Sequence, residues 1–302
     1  MSVNIPNWYV NQYNQNIQML VQQKQSRLRA AVTPSTGQGQ QASPVDQIGA
    51  IDMQEVTTRF APMGRVDASM DRRWCRPTDA DLPQLIDSFD KLKIITDPQG
   101  IYVTNAVAAA NRKFDDIIGS AFFAAAATGV NGATTTNFDS TNQVVGVNTG
   151  GTDSKLNVAK LEAARTILLA NEVDFENDTI YCAITSKDHQ ALMSEIQVLS
   201  FDFNERPVYD SKGIITSFRG INFIHTERPW ATTEGTDDQS GSSRAVPFWV
   251  KSGVTLMIWN DIQTDVSVRN DIQGLPYQVY AKMSAGATRI EEKKVVKIWC
   301  GQ

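Results

Sequence analysis

Between residues 97 and 129 lies the feature that most restricts how this chain can fold. The turn Asp97-Pro98-Gln99-Gly100 leads into an Ala-rich run in which Val107, Ala110, Phe114, Ile117, Ile118, Ala121 and Ala125 recur at helical spacing. Residues three and four apart share one face of an α-helix, so the pattern is a single apolar stripe about five turns long. Alanine at many of the other positions adds intrinsic helix propensity. Thr104 suits the N-cap and Gly129 the C-terminal turn. The expected helix covers residues 105–128, a rod of roughly 36 Å at 1.5 Å per residue. Its candidate core residues are Val107, Ala110, Phe114, Ile117, Ile118 and Ala121.

Such a stripe needs cover, and the sequence on either side offers strands and helices. Residues 4–25 are crowded with Asn and Gln, yet Tyr9, Tyr13, Ile17, Leu20 and Leu28 keep the spacing of an amphipathic helix. This predicts an N-terminal arm with one apolar face. Residues 33–44 turn to Thr, Pro, Ser, Gly and Gln, a mix that buries little and favours a flexible link.

From residue 53 to 76 the texture is extended: Val56, Thr57, Thr58 and Phe60 precede Pro62-Met63-Gly64-Arg65, and a second run goes from Val66 to Trp74. Two extended runs about a Pro-x-Gly turn predict a β-hairpin. Ten residues of strand reach roughly 33 Å, far enough to leave a globular body. Arg59, Arg65, Arg72, Arg73 and Arg76 give this hairpin a basic cast within an acidic chain. Arg59, Phe60, Met63, Gly64, Arg65, Val66, Arg72 and Arg73 are the candidate subunit contacts; the plainer alternative is a solvated edge hairpin of an ordinary sheet.

Residues 129–152, rich in Gly, Thr and Asn, predict an excursion of turns. Asn157 can cap a second helix with Leu161, Ala164, Ile167 and Leu168 on one face, residues 178–185 alternate as a strand, and Ser186 can cap a third helix carrying Leu192, Ile196 and Leu199. After Pro207 the pattern is mainly extended, with expected strands at 214–224, 248–250, 254–259, 266–269, 277–283 and 287–299, and a polar exposed loop at 232–244. The fold class is α+β.

The remaining chemistry excludes more than it suggests. In 302 residues, 41% hydrophobic and 20% charged, there is enough apolar material for a core, and disorder throughout is ruled out. The net charge of −5 argues against a protein whose task is to grip phosphates. The first ten residues lack the basic and apolar regions of a secretion signal, which predicts a protein made and assembled in the cytoplasm. No apolar run is long enough for a membrane span.

Three cysteines, Cys75, Cys182 and Cys300, are odd in number and far apart, so neither a disulfide framework nor a Cys-x-x-Cys clamp is expected. His189 and His225 fall in different predicted elements with no ligand at metal spacing, and read as caps or surface residues. Asp115-Asp116 are neighbours on a helix and point apart. The run Glu291-Glu292-Lys293-Lys294 fits a solvated strand surface or an inter-subunit charge pair. No catalytic, cofactor or metal residue is expected.

The order of these elements resembles the Hong Kong 97-type fold of tailed-phage major capsid proteins. The resemblance rests on the arm, the hairpin, the stretch from Asp81 through Asp97-Pro98 to Asn111-Arg112-Lys113-Phe114-Asp115, the segment 213–224, and the ending Met283-Ser284-Ala285-Gly286-Ala287-Thr288-Arg289-Ile290-Glu291-Glu292. It implies an N-terminal arm at 1–44, an extended hairpin loop at 45–80, a peripheral domain with a long spine helix at 81–156, an axial domain at 157–265, and return strands of the peripheral domain at 266–302. It further implies self-assembly through pentamers and hexamers into an icosahedral shell that encloses double-stranded DNA without sequence-specific binding. Scaffolding protein, portal and cement proteins are the implied partners, with no cofactor, no membrane and no enzyme activity. Two other readings stay open: an encapsulin-type nanocompartment shell, and a soluble enzyme of an unrecognised α+β fold.

Overall fold

The computed structural model describes residues 20–37, 42–55, 57–60, 64–86, 99–152, 154–195, 198, 208–210, 212–228 and 243–301. In chain order the strands and helices are β1 (Thr33–Thr36), β2 (Ser43–Ile48), β3 (Met70–Cys75), β4 (Thr78–Ile86), α1 (Gln99–Ala121), β5 (Ala126–Thr128), β6 (Thr134–Thr136) and β7 (Val144–Val145). There follow α2 (Val158–Ala170), β8 (Ile180–Ile184), α3 (Ser186–Met193), β9 (Ser217–Phe218), β10 (Ile221–His225), β11 (Ser243–Val250), β12 (Val254–Val268), β13 (Tyr277–Arg289) and β14 (Val295–Gly301).

The chain divides into two compact units: Met1–Ser26 with Thr78–Phe114 and Asn260–Ser284, and Arg27–Pro77 with Asp115–Trp259 and Ala285–Gln302. The second unit is built on a six-stranded sheet of order β7-β14-β11-β8-β10-β9. Its central strand β11 is buried at every position from Ala245 to Val250, as expected of a strand covered on both faces. Leu161, Ala164 and Leu168 of α2 pack on one face with Cys182, Ile184, Phe248, Val296 and Ile298. On the other, Trp249 packs tilted against Phe122 and stacks on Tyr181, at ring-centroid distances of 4.5 and 5.9 Å, and donates its indole N–H to the Ala31 carbonyl at 2.9 Å. Asn157 caps α2 as expected, accepting the Lys160 N–H at 2.8 Å.

Several expectations change. Helix α1 begins at Gln99, six residues before the expected start, because Thr104 does not cap: its hydroxyl donates back to the Gly100 carbonyl at 2.8 Å. It ends at Ala121, because Ala126–Thr128 is recruited as strand β5 against β3. Thr185, not Ser186, caps α3, through a capping box with Asp188. The two strands expected at 254–259 and 266–269 are one continuous strand, β12. The stretch 266–302 is not one body of return strands. Strand β13 lies in a four-stranded sheet of order β1-β12-β13-β4, whereas β14 pairs with β11 and β7 in the six-stranded sheet. The arm stripe at Tyr9, Tyr13 and Ile17, the positions Ile196 and Leu199, and most of the loop at 232–244 lie outside the described residues.

Candidate assembly surface

The hairpin is real but starts earlier than its sequence suggests. Its paired arms are β2 and β3, antiparallel from Ser43 opposite Cys75 to Ile48 opposite Met70. One further bond, from the Gly49 N–H to the Ser69 carbonyl at 2.7 Å, closes the ladder. Beyond it the described residues between Gly49 and Ser69 form no strand, so residues 57–60 are not an arm, and the run expected from Val66 to Trp74 is one only from Met70 onward.

The base is held rigidly. Arg73, 5% exposed, donates to the Ile290 carbonyl at 3.0 Å, the Thr136 hydroxyl at 2.9 Å and the Glu292 carboxylate at 2.9 Å. Arg289, also buried, reaches the Phe122 and Ala124 carbonyls and lies 3.5 Å from Glu292. Burial, opposed by Glu292, lowers its guanidinium pKa. Gly286 is required here, since a Cβ would stand 2.2 Å from the Arg76 carbonyl oxygen. Two expectations are thereby corrected. Arg73 is an internal anchor and not an exposed contact, because a carbonyl, a hydroxyl and a carboxylate surround it; Glu292 pairs within the subunit and is not a solvated strand residue. Arg72 is half-buried, paired across the strands with Asp46 at 2.5 Å and lying over the Trp74 ring.

The tip is different in kind. Ile48, Ile51, Met53, Phe60, Val66 and Met70 are all exposed, and Phe60 is completely so at 103%. Phe60 also holds a positive φ of 59°. A bulky side chain in the left-handed region is strained, and here the strain comes with no burial inside the subunit to offset it. Arg59, Gly64 and Arg65 are exposed beside it, Arg65 paired with Asp67 at 2.8 Å; Met63 lies outside the described residues. A row of large apolar groups on one projecting loop is a surface suited to association.

Along α1, Phe114, Ile117, Ile118 and Ala121 are buried, while Val107 and Ala110 are only half-buried. Those two are corrections: Ala106 and Ala108 take the buried positions in that turn, and Ala110 lines an open cavity. The cavity, about 380 Å³, is bounded by Asp79, Ala80, Asp81 and Leu82 of β4, by Ala106, Ala109, Ala110 and Lys113 of α1, and by Ala281, Lys282 and Met283 of β13. Its floor is apolar because five alanines leave the space that larger side chains would fill; its rim carries two acids and two lysines.

The remaining polar groups are structural. Asp115 accepts the N–H groups of Arg27 and Leu28, and Asp116 pairs with Arg228 at 2.5 Å. Cys75, Cys182 and Cys300 are buried free thiols; burial pushes Cys75 and Cys300 up to about 12, and Cys182 well above its ordinary value. His189 and His225, read separately in the sequence, meet with ring centroids 5.0 Å apart. Among the described residues no group of three or more His, Cys, Asp or Glu could hold a metal ion, and no helix is long and apolar enough to cross a membrane.

The family model for phage capsid proteins matches residues 5–302. The chain belongs to the phage capsid protein family. Its fold is Hong Kong 97-like, and the same architecture recurs in solved heads of low sequence identity. The capsid of the cyanophage P-SCSP1u superimposes with a TM-score of 0.71 at 12% identity, covering 98% of this chain and 94% of that one. The capsid of cyanophage Pam1 gives 0.72 at 11% identity, covering 96% of each chain. The capsid of the Helicobacter pylori bacteriophage KHP30 gives 0.68 at 11% identity, covering 97% and 95%. A search of curated proteins returns no match. Of the readings the sequence left open, membership selects the phage major capsid protein, a structural component of the virion that self-assembles into the head shell.

Proposed function

We propose that this capsid protein tiles a closed icosahedral shell around a double-stranded DNA genome, with the tip of the β2–β3 hairpin as an inter-subunit contact. The observation that carries the reading is Phe60: a wholly exposed aromatic in a strained backbone conformation, on a loop whose base is pinned by Arg73 and Glu292. A rigid base lowers the entropy lost when the tip docks. The cavity between β4, α1 and β13 of a second copy is a fitting receptor. It is large enough for an aromatic ring, apolar within, and its acids Asp79 and Asp81 suit Arg59 and Arg65.

The unit carrying the long helix would be the peripheral domain and the six-stranded sheet the axial domain. Scaffolding, portal and cement proteins are the further partners. The subunit works by shape. Sedimentation of Phe60→Asp against the parent chain tests the proposal: the reading expects large particles from the parent and free subunits from the variant. Particles of equal yield from both would remove the tip from the interface.

A further inference from the structure

We propose that His189 and His225 form an acid-opened latch that holds Tyr209, Asp210 and residues 212–216 against α3 and β10 near neutral pH. These are the chain's only two histidines, and both grip one residue. The Ile215 N–H donates to His189 Nε2 at 3.3 Å, and His225 Nε2 lies 3.1 Å from the Ile215 carbonyl oxygen. The first bond requires an unprotonated His189 Nε2, and the second, to a carbonyl, requires His225 Nε2 to carry a proton. The rings cross nearly edge to face at 65°. Ile215 also bridges to Tyr209, while the Asp210 N–H bonds to the Ile214 carbonyl at 2.9 Å. The grip on one residue thus also holds Tyr209 and Asp210, which pair with Ile215 and Ile214.

Protonating His189 removes its acceptor lone pair and places a cation beside its partner ring. Of the other charges nearby, Arg27 donates to the His225 carbonyl, Glu227 accepts the Ser186 N–H at the start of α3, Arg228 pairs with Asp116, Asp188 pairs with Arg244, and Lys187 is exposed on α3. Asp210 and Lys212 lie on the held segment itself. Burial first, then His225, lowers the His189 pKa below its ordinary 6.5. The native contact is therefore fully present above pH 6.5 and is lost as pH falls from there towards the depressed native value. The latch belongs to the subunit and does not depend on how the shell is closed.

Amide hydrogen exchange of the purified chain at pH 5.5, 6.5 and 7.5, corrected for the intrinsic pH dependence, tests it. Peptides spanning 212–218 should lose protection in acid, with a slope of at most about tenfold per pH unit between 6.5 and the depressed native value, while peptides of β11 and β14 stay unchanged. His189→Gln keeps an acceptor that does not titrate, so its acid response should vanish; His225→Gln should retain the response with smaller amplitude. The proposal is overturned if the parent chain shows no excess acid dependence, if His189→Gln keeps it, or if β11 and β14 lose protection to the same extent.

Discussion

The Leu28 backbone N–H donates to the carboxylate of Asp115 at 3.1 Å, a buried bond across 87 residues of chain. Arg27 donates to the same carboxylate from the preceding peptide. Asp115 is itself fully buried on α1, so this bond fixes where the N-terminal segment meets the helix. Upstream, Asn111 donates to the Lys24 carbonyl at 3.0 Å and Arg112 to Gln22 and Gln23. One polar row of the helix is therefore a track for residues 22–28.

Replacing Asp115 by Ala should strand the buried Leu28 N–H and the part-buried Arg27 N–H. The cost should be about 1–3 kcal/mol, that of one unsatisfied buried group, since the Arg27 N–H can turn to water. Asp115→Asn keeps one acceptor oxygen and should cost less. Urea unfolding of soluble subunits, with proteolysis reporting release of the segment before Arg27, measures both.

Phe114 is completely buried beside Asp115, and Phe114→Ala should cost about 3–5 kcal/mol through the cavity it leaves. Asn111→Ala should cost about 0.5–1 kcal/mol, the worth of its one bond to Lys24. Equal costs in reversible unfolding would mean that the buried face of the helix is wrongly assigned.

Phe60→Asp should leave the melting temperature of the subunit unchanged or slightly raised. Aspartate tolerates the left-handed region better than phenylalanine, and no burial is lost. Particle yield, read by light scattering, should collapse in the same variant. A fall in melting temperature comparable to that of Phe114→Ala would place the ring in the subunit's own core.

All three thiols are buried, with pKa values raised to about 12 for Cys75 and Cys300 and well above the ordinary thiol value for Cys182. The thiolate is the reactive form, so native protein at pH 8 should resist iodoacetamide and react at all three positions only in denaturant. Mass spectrometry counts the adducts; rapid native labelling of any one cysteine contradicts its burial.

Sequence periodicity revealed what is local and missed what is paired at a distance. The stripe through Phe114, Ile117, Ile118 and Ala121 was legible because a helix writes its face into every third or fourth residue. The end of that helix was not, because Ala126–Thr128 is helix-compatible in composition and becomes a strand only through pairing with Arg73 and Trp74. The hairpin was visible from its turn residues, but Val45–Ile48 carry no strand pattern of their own and entered it only through the family resemblance, while Ser43 and Pro44, which open the ladder, read as linker. Arg73 looked like one of five surface arginines; only the fold sets Glu292, 219 residues away, against it. The same holds for His189 and His225, joined through parallel pairing of β8 with β10 and not by any spacing in the chain.

The central claim is that this chain is a shell-forming subunit whose hairpin tip makes contacts between copies. Cryo-electron microscopy of particles assembled from the purified chain tests it most directly. The account predicts closed icosahedral shells in which density for Phe60 lies against a neighbouring copy. Monomers alone under every salt and scaffolding condition tried, or shells in which Phe60 faces open solvent in every copy, would contradict it.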